Sequence, residues 1–142
     1  IANNIVIKVP LTQHGLIACN TLSKKSIKVN VTLCFSSAQA LLAGKLGASY
    51  ISPFIGRLDD VGSSGLSLIK EIVEIYNTFK DIKTKVLAAS IRSPSQVSQV
   101  ANMGAHVATI PPKIISQMIK HPLTDIGLET FMKDWEKTGQ KF

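Results

Sequence analysis

The chain lacks the marks of several protein classes at once. No apolar run approaches the ~18 continuous residues that span a membrane as a helix, so no transmembrane segment and no membrane partner are expected. Cysteine occurs twice, as Cys19 and Cys34, inside apolar segments and with no CxxC pair. No disulfide framework is suggested, and both are expected to be core thiols in a reduced, cytoplasmic setting. The three histidines, His14, His106 and His121, are not at metal-ligand spacing. Aromatics make up only 6% of the chain, and Arg57 and Arg92 are its only arginines. No stripe of Arg and Lys with interleaved aromatics exists, so nucleic-acid binding is not expected. No G-x-G-x-x-G follows any strand-like run, which argues against dinucleotide binding. Linkers, low-complexity tracts and heptads are missing as well.

What is present suits one globular domain: 142 residues, 45% hydrophobic and 18% charged, with a formal net charge of +7. The lysines are scattered, which reads either as a solvated face or as a surface favouring anionic metabolites. Short β-branched runs alternate with amphipathic ones. Strands are expected at 4–9, 27–33, 48–52, 85–90 and 106–110. Helices are expected over 13–24, from Ser36 with Gln39 in a capping box, and over the stretch holding Leu66, Ile69, Ile72, Val73, Tyr76 and Phe79. Further helices are expected after Ser93-Pro94, along "PPKIISQMIK", and over 124–137, the last burying Leu128, Phe131 and Trp135. Asp59, Asp60, Gly62 and Gly65 read as a loop with ion-pair residues. Its glycines serve either turn geometry or an anion nest.

Five strand–helix units in succession imply a parallel sheet with right-handed crossovers. An open doubly wound sheet and a (β/α)8 barrel both fit that pattern. Three further units, about 75 residues, would bring the chain to a barrel of about 215. The first residue is Ile1 rather than Met. The chain is therefore expected to be the C-terminal part of a longer barrel.

In a barrel the active site gathers at the C-terminal strand ends. Those ends carry Lys8, Asn30, Thr32, Ser52 with Arg57 just beyond, Ser90, Arg92 and Thr109. An amine, an amide, several hydroxyls and two guanidiniums suit a phosphorylated, hydroxyl-rich substrate, because the planar fork of arginine matches two phosphate oxygens. Lys8 lies near the end of the run "NIVIKV", which reads as a strand buried on both faces. A solvated lysine amine is neutral in only about one molecule in 2500 at pH 7, and burial raises that fraction. Two uses compete for such a lysine: attack on a carbonyl to form a Schiff base, or pairing with a carboxylate from elsewhere.

At these residues the chain resembles the transaldolase family, in particular its short-chain bacterial type. The resemblance is carried by "NIVIKVPLT", "IKVNVTLCFSSAQALLA", "YISPFIGRLDD", "VLAASIRSP", "GAHVATIPPKII" and "KHPLTDIGLETFMKDW", in that order along nearly the whole chain. It implies a (β/α)8 barrel entered at its fourth strand. It implies Lys8 as the Schiff-base lysine, Thr32 as holder of the catalytic water, and Asn30 and Ser52 as substrate contacts. Arg57, Ser90 and Arg92 would hold phosphate. Phe54 stands where the related fructose 6-phosphate aldolases have a tyrosine, which favours transaldolase.

The implied reaction moves a dihydroxyacetone unit from fructose 6-phosphate or sedoheptulose 7-phosphate to glyceraldehyde 3-phosphate or erythrose 4-phosphate. It belongs to the pentose phosphate pathway and needs no cofactor. The alternatives are a fructose 6-phosphate aldolase and a non-catalytic phosphosugar-binding barrel. The resemblance also implies a ring-type homo-oligomer, pentamer or decamer, with the 124–137 helix and Trp135 as a subunit contact. The family's acids on strands one and three would lie upstream of Ile1, and nothing within these residues replaces them.

Overall fold

Side chains that accept from first-turn amides fix where the helices begin. Thr12 caps Gln13–Ser23 (α1), accepting from the Gly15 amide at 3.1 Å. Ser36 and Gln39 form a reciprocal capping box ahead of Ser37–Lys45 (α2). Ser64 caps Gly65–Thr78 (α4), and Ser93 caps Pro94–Asn102 (α5) with Pro94 in the first turn. Each cap satisfies one of the amides that a helix start leaves without an internal partner. A five-residue helix, Ile55–Asp59 (α3), precedes α4, and Pro112–Ile119 (α6) and Pro122–Lys137 (α7) close the order. These elements belong to a computed structural model that describes residues 2–140.

The strands are Ile7–Pro10 (β1), Val29–Cys34 (β2), Tyr50–Pro53 (β3), Lys85–Ala88 (β4) and Val107–Ala108 (β5). All pair in parallel, in the order β1-β2-β3-β4-β5. A doubly wound sheet reverses its order at a switch point. This sheet never does, so the fold is α/β in the form of a partial (β/α)8 barrel. Consecutive right-handed crossovers put every connecting helix on the same side of the sheet.

That side carries the core. Val29, Val31, Ile51 and Val86 are fully buried, and Ile69 and Ile72 of α4 meet them. Each such side chain contributes on the order of 1.5–3 kcal/mol relative to exposure. Two details lock the layer. The Tyr76 hydroxyl donates to the Ala40 carbonyl at 2.7 Å, tying α4 to α2; burial pushes its phenol pKa up, so the hydroxyl stays a donor. A Cβ at Gly65 would lie 2.4 Å from the backbone of Ile55, so only glycine lets α4 start against α3.

Several expectations need correction. The first strand begins at Ile7 rather than residue 4, because pairing with β2 starts at Ile7–Val29. Ile5 is 46% exposed. β1 is not buried on both faces: Ile7 and Val9 are half-buried, while Lys8 and Pro10 are exposed. The fifth strand shrinks to two residues. The segment after Phe54 is helical as far as Asp59 rather than loop. α7 starts at Pro122, with His121 as its cap, and buries none of its residues. Leu128 and Phe131, expected in the core, are 61% and 73% exposed, and Trp135 is half-buried. α7 comes last in the row of units, after α1, α2 and α4 have packed on the strands and α5 and α6 have followed at the side of α4.

Tyr76→Phe removes the α4–α2 hydrogen bond without changing the packed ring. It is expected to lower the unfolding free energy by about 1 kcal/mol, read from the midpoint shift in urea.

Candidate active site

Because side chains alternate along a strand and parallel partners share a face, the register decides which polar groups meet. Lys8 pairs with Asn30, Asn30 with Tyr50, and Thr32 with Ser52. These residues therefore share the face turned away from the helices. The Ser52 hydroxyl donates to Asn30 Oδ1 at 2.7 Å. Lys8 is exposed on that face. This departs from the expectation of a shielded amine: β1 is an edge strand of the described sheet, and no described element covers Lys8.

Thr32 is only 8% exposed, and its Oγ1 has no hydrogen-bond partner among the described residues. A buried hydroxyl left unsatisfied costs about 1–3 kcal/mol, so this atom stands ready for a ligand or a water. Directly after it the chain breaks register between Thr32 and Cys34, and Leu33 takes φ 61°. A leucine in the left-handed region is strained. The bulge brings Cys34 rather than Leu33 opposite Pro53, so that Cys34 is buried and Leu33 is left 37% exposed. Ser90, at the end of β4, also has φ 60°. Neither feature has a sequence mark, since glycine or asparagine would be the usual occupant.

The arginines approach from the next loops. Phe54 leads into α3 and bridges to Ala89 beyond β4. Its ring lies 5.9 Å from that of Phe35, and the Arg57 guanidinium sits 4.7 Å over its centroid. Ser90 receives α3 through its carbonyl, which accepts from the Gly56 amide at 3.0 Å. Arg92 forms a two-pronged pair with Asp60. Asp60 has its carboxyl held below the usual carboxylate range, first by the Arg92 hydrogen bonds and also by the charge of Arg57. Both arginines thus bear on one place. Asp59 accepts from the Gly65 amide at 3.0 Å and from Gln96 Nε2 at 2.8 Å. Asp60 is an ion-pair residue, as expected, whereas Asp59 is the last residue of α3 rather than a loop residue.

The other candidates stand apart. Thr109 is exposed past β5, its amide donating to the Ala88 carbonyl. Cys19 and Cys34 are fully buried, and burial pushes the Cys34 thiol up to about 12. His106 Nδ1 accepts from the Val86 amide at 3.2 Å, and His121 caps α7. No cluster of three His, Cys, Asp or Glu that could hold a metal occurs among the described residues, and no described helix is long and apolar enough to cross a membrane.

A one-faced polar row across consecutive parallel β/α units defines a barrel-type site. Thr32 and Ser52 lie towards the C-terminal strand ends, whereas Lys8 and Asn30, expected there too, lie one residue inside the starts of β1 and β2. Comparison with known proteins then gives the family. The family model "Transaldolase/Fructose-6-phosphate aldolase" matches residues 1–142. A protein of Caldicellulosiruptor saccharolyticus named "Probable transaldolase" is 59% identical over 141 residues, 99% of this chain and 65% of that protein. One of Rhodospirillum centenum with the same name is 59% identical over 140 residues, covering 99% and 61%. A third, from Clostridium kluyveri, is 59% identical and covers 99% and 65%. The chain belongs to the transaldolase/fructose-6-phosphate aldolase family. It spans between 61% and 65% of the length of these relatives.

Thr32→Val keeps the shape and deletes the unpartnered oxygen. Stability is expected to hold or rise by about 1 kcal/mol, measured by thermal melting. A loss of similar size would mean that Oγ1 has a partner within the fold.

Proposed function

We propose that the protein carrying this chain is a transaldolase, with Lys8 as its nucleophile. The observation that carries this is the shared face of Lys8, Asn30, Thr32 and Ser52. It presents an amine, a hydrogen-bonding pair and a buried hydroxyl in need of a partner. The Lys8 amine adds to the ketone of a ketose phosphate, and loss of water leaves an iminium. The C3–C4 bond then breaks, its electron pair moves onto the iminium nitrogen, and the C4 hydroxyl proton leaves to a base. An aldose phosphate departs, and the three-carbon enamine remains on Lys8. The enamine attacks the aldehyde of a second aldose phosphate, and hydrolysis frees the new ketose.

A water on Thr32 carries protons, together with acids from outside these 142 residues. Asn30 and Ser52 hold the dihydroxyacetone hydroxyls. Arg57, Ser90 and Arg92 hold the distal phosphate, whose binding energy positions the reacting carbons. The lysine serves as the electron sink, so the reaction as drawn uses no metal or organic cofactor. Fructose 6-phosphate and sedoheptulose 7-phosphate are the proposed donors, glyceraldehyde 3-phosphate and erythrose 4-phosphate the acceptors, in the cytoplasm. Phe54, packed between Phe35 and Arg57, offers no hydroxyl for aldolase-type proton transfer, which supports transfer over simple cleavage.

We further propose that the working unit is a complete barrel, in which strands outside this chain shield Lys8. The apolar side chains exposed on α7, Leu123, Ile126 and Phe131 among them, support a contact between copies in a ring-type oligomer.

Borohydride reduction of the complete protein with fructose 6-phosphate is expected to fix the three-carbon adduct at Lys8, read by peptide mass. Lys8→Arg is expected to lose the adduct and at least about 10³-fold in turnover. Turnover close to normal in that variant would end this reading. Thr32→Val is expected to lower kcat about 10²-fold while leaving adduct formation detectable.

A further inference from the structure

Arg92 has a long side chain, 51% exposed, on a loop just past a strand end. Left alone, such a chain samples many rotamers, at up to about 2 kcal/mol of entropy. Here it is held at both ends. Its backbone amide donates to Gln96 Oε1 at 2.8 Å, and Gln96 Nε2 donates to Asp59 at 2.8 Å. Its guanidinium donates through both Nη atoms to the two Asp60 oxygens. Head and root are therefore tied to one turn, at the end of α3. The stem runs across Gly56, where a Cβ would lie 2.7 Å from Arg92 Nε, 3.0 Å from its Cδ and 2.3 Å from the Ser90 carbonyl oxygen. Any side chain at residue 56 would displace the arginine.

We propose that Asp60 and Gly56 are positioning residues for Arg92, fixing its guanidinium so that its remaining donors grip a phosphate monoester. A guanidinium has five N–H donors. Asp60 takes one from each Nη, which leaves three for a second anion. End-on pairing with a planar carboxylate also fixes the plane of the fork, the feature that separates arginine from lysine in phosphate binding. Asp60 stays ionised at neutral pH, because the Arg92 hydrogen bonds and the charge of Arg57 hold its carboxyl below the usual range. The Gly56 amide bonded to the Ser90 carbonyl keeps Ser90, another phosphate candidate, in step with the same turn. This inference rests on the phosphosugar reading of the site, but not on Lys8 chemistry.

The test uses the complete protein and two probes. Inorganic phosphate binding is measured by calorimetry, and trapping of unphosphorylated dihydroxyacetone at Lys8 is measured with borohydride. Asp60→Asn and Gly56→Ala are each expected to weaken phosphate binding about tenfold while trapping at Lys8 stays within about twofold of wild type. Asp60→Glu is expected to recover part of the phosphate affinity. Phosphate binding that is unchanged or tighter in Asp60→Asn would overturn the proposal, the latter making Asp60 a competitor of phosphate. An equal loss of both readouts would overturn it too, marking a merely structural role. If nothing is trapped at Lys8 in wild type but phosphate binding still weakens in Asp60→Asn and recovers in Asp60→Glu, the transaldolase reading fails and the positioning role stands.

Discussion

Parallel pairing at a fixed register is the constraint on which the rest of this structure depends. In register, Lys8 lies beside Asn30, and Thr32 beside Ser52. A slip of one residue on any strand would send its polar group into the helix-packed layer and bring valine or isoleucine out. The fully buried Val29, Val31, Ile51 and Val86 forbid that slip energetically. The apolar layer therefore holds the polar row in place, although none of its side chains belongs to the site.

The strand ends are where the fold departs from regular geometry. Leu33 and Ser90 both sit in the left-handed region, each just beyond or within the last turn of a strand that feeds the polar face. Strain of that kind persists only when surrounding packing over-determines it. At Leu33 the surrounding packing is the buried Cys34 on one side and Val31 on the other. At Ser90 it is the β3–α3 turn, whose amides at Ile55 and Gly56 donate to the Ala89 and Ser90 carbonyls. The same turn brings Phe54, Arg57 and Asp60 to the site. A single junction thus joins the reactive row to the basic pair.

Much of this was legible in the chain because local physics writes it there. Capping serines at 36 and 93 and the helical spacing of Ile69, Ile72 and Tyr76 act within a few residues, and those helices appeared where the signals put them. The β-branched runs marked the five strands but not their bounds. The motifs around Lys8, Thr32, Ser52, Arg57 and Arg92 named the family, and the match over residues 1–142 agrees. Less legible were the features set by distant groups. The run at Asn4–Val6 looks like strand, yet its neighbour strand begins only opposite Ile7. α7 has the apolar content of a core helix and lies with that content exposed. Asp60 reads as an ion-pair acid, but its partner Arg92 lies 32 positions away and carries no local mark.

The amino-acid order alone determined the alternation of strands and helices, the helix starts, the family and the roster of reactive side chains. Those follow from propensities, caps and residue chemistry that need no partner far along the chain. Only the tertiary structure decided which side chains share a face, that Thr32 Oγ1 is buried without a partner among the described residues, that Lys8 is exposed on an edge strand of the described sheet, and that Asp60 and Gly56 frame Arg92. Burial and pairing are properties of groups brought together from separate segments, and a one-dimensional pattern carries no distance between them.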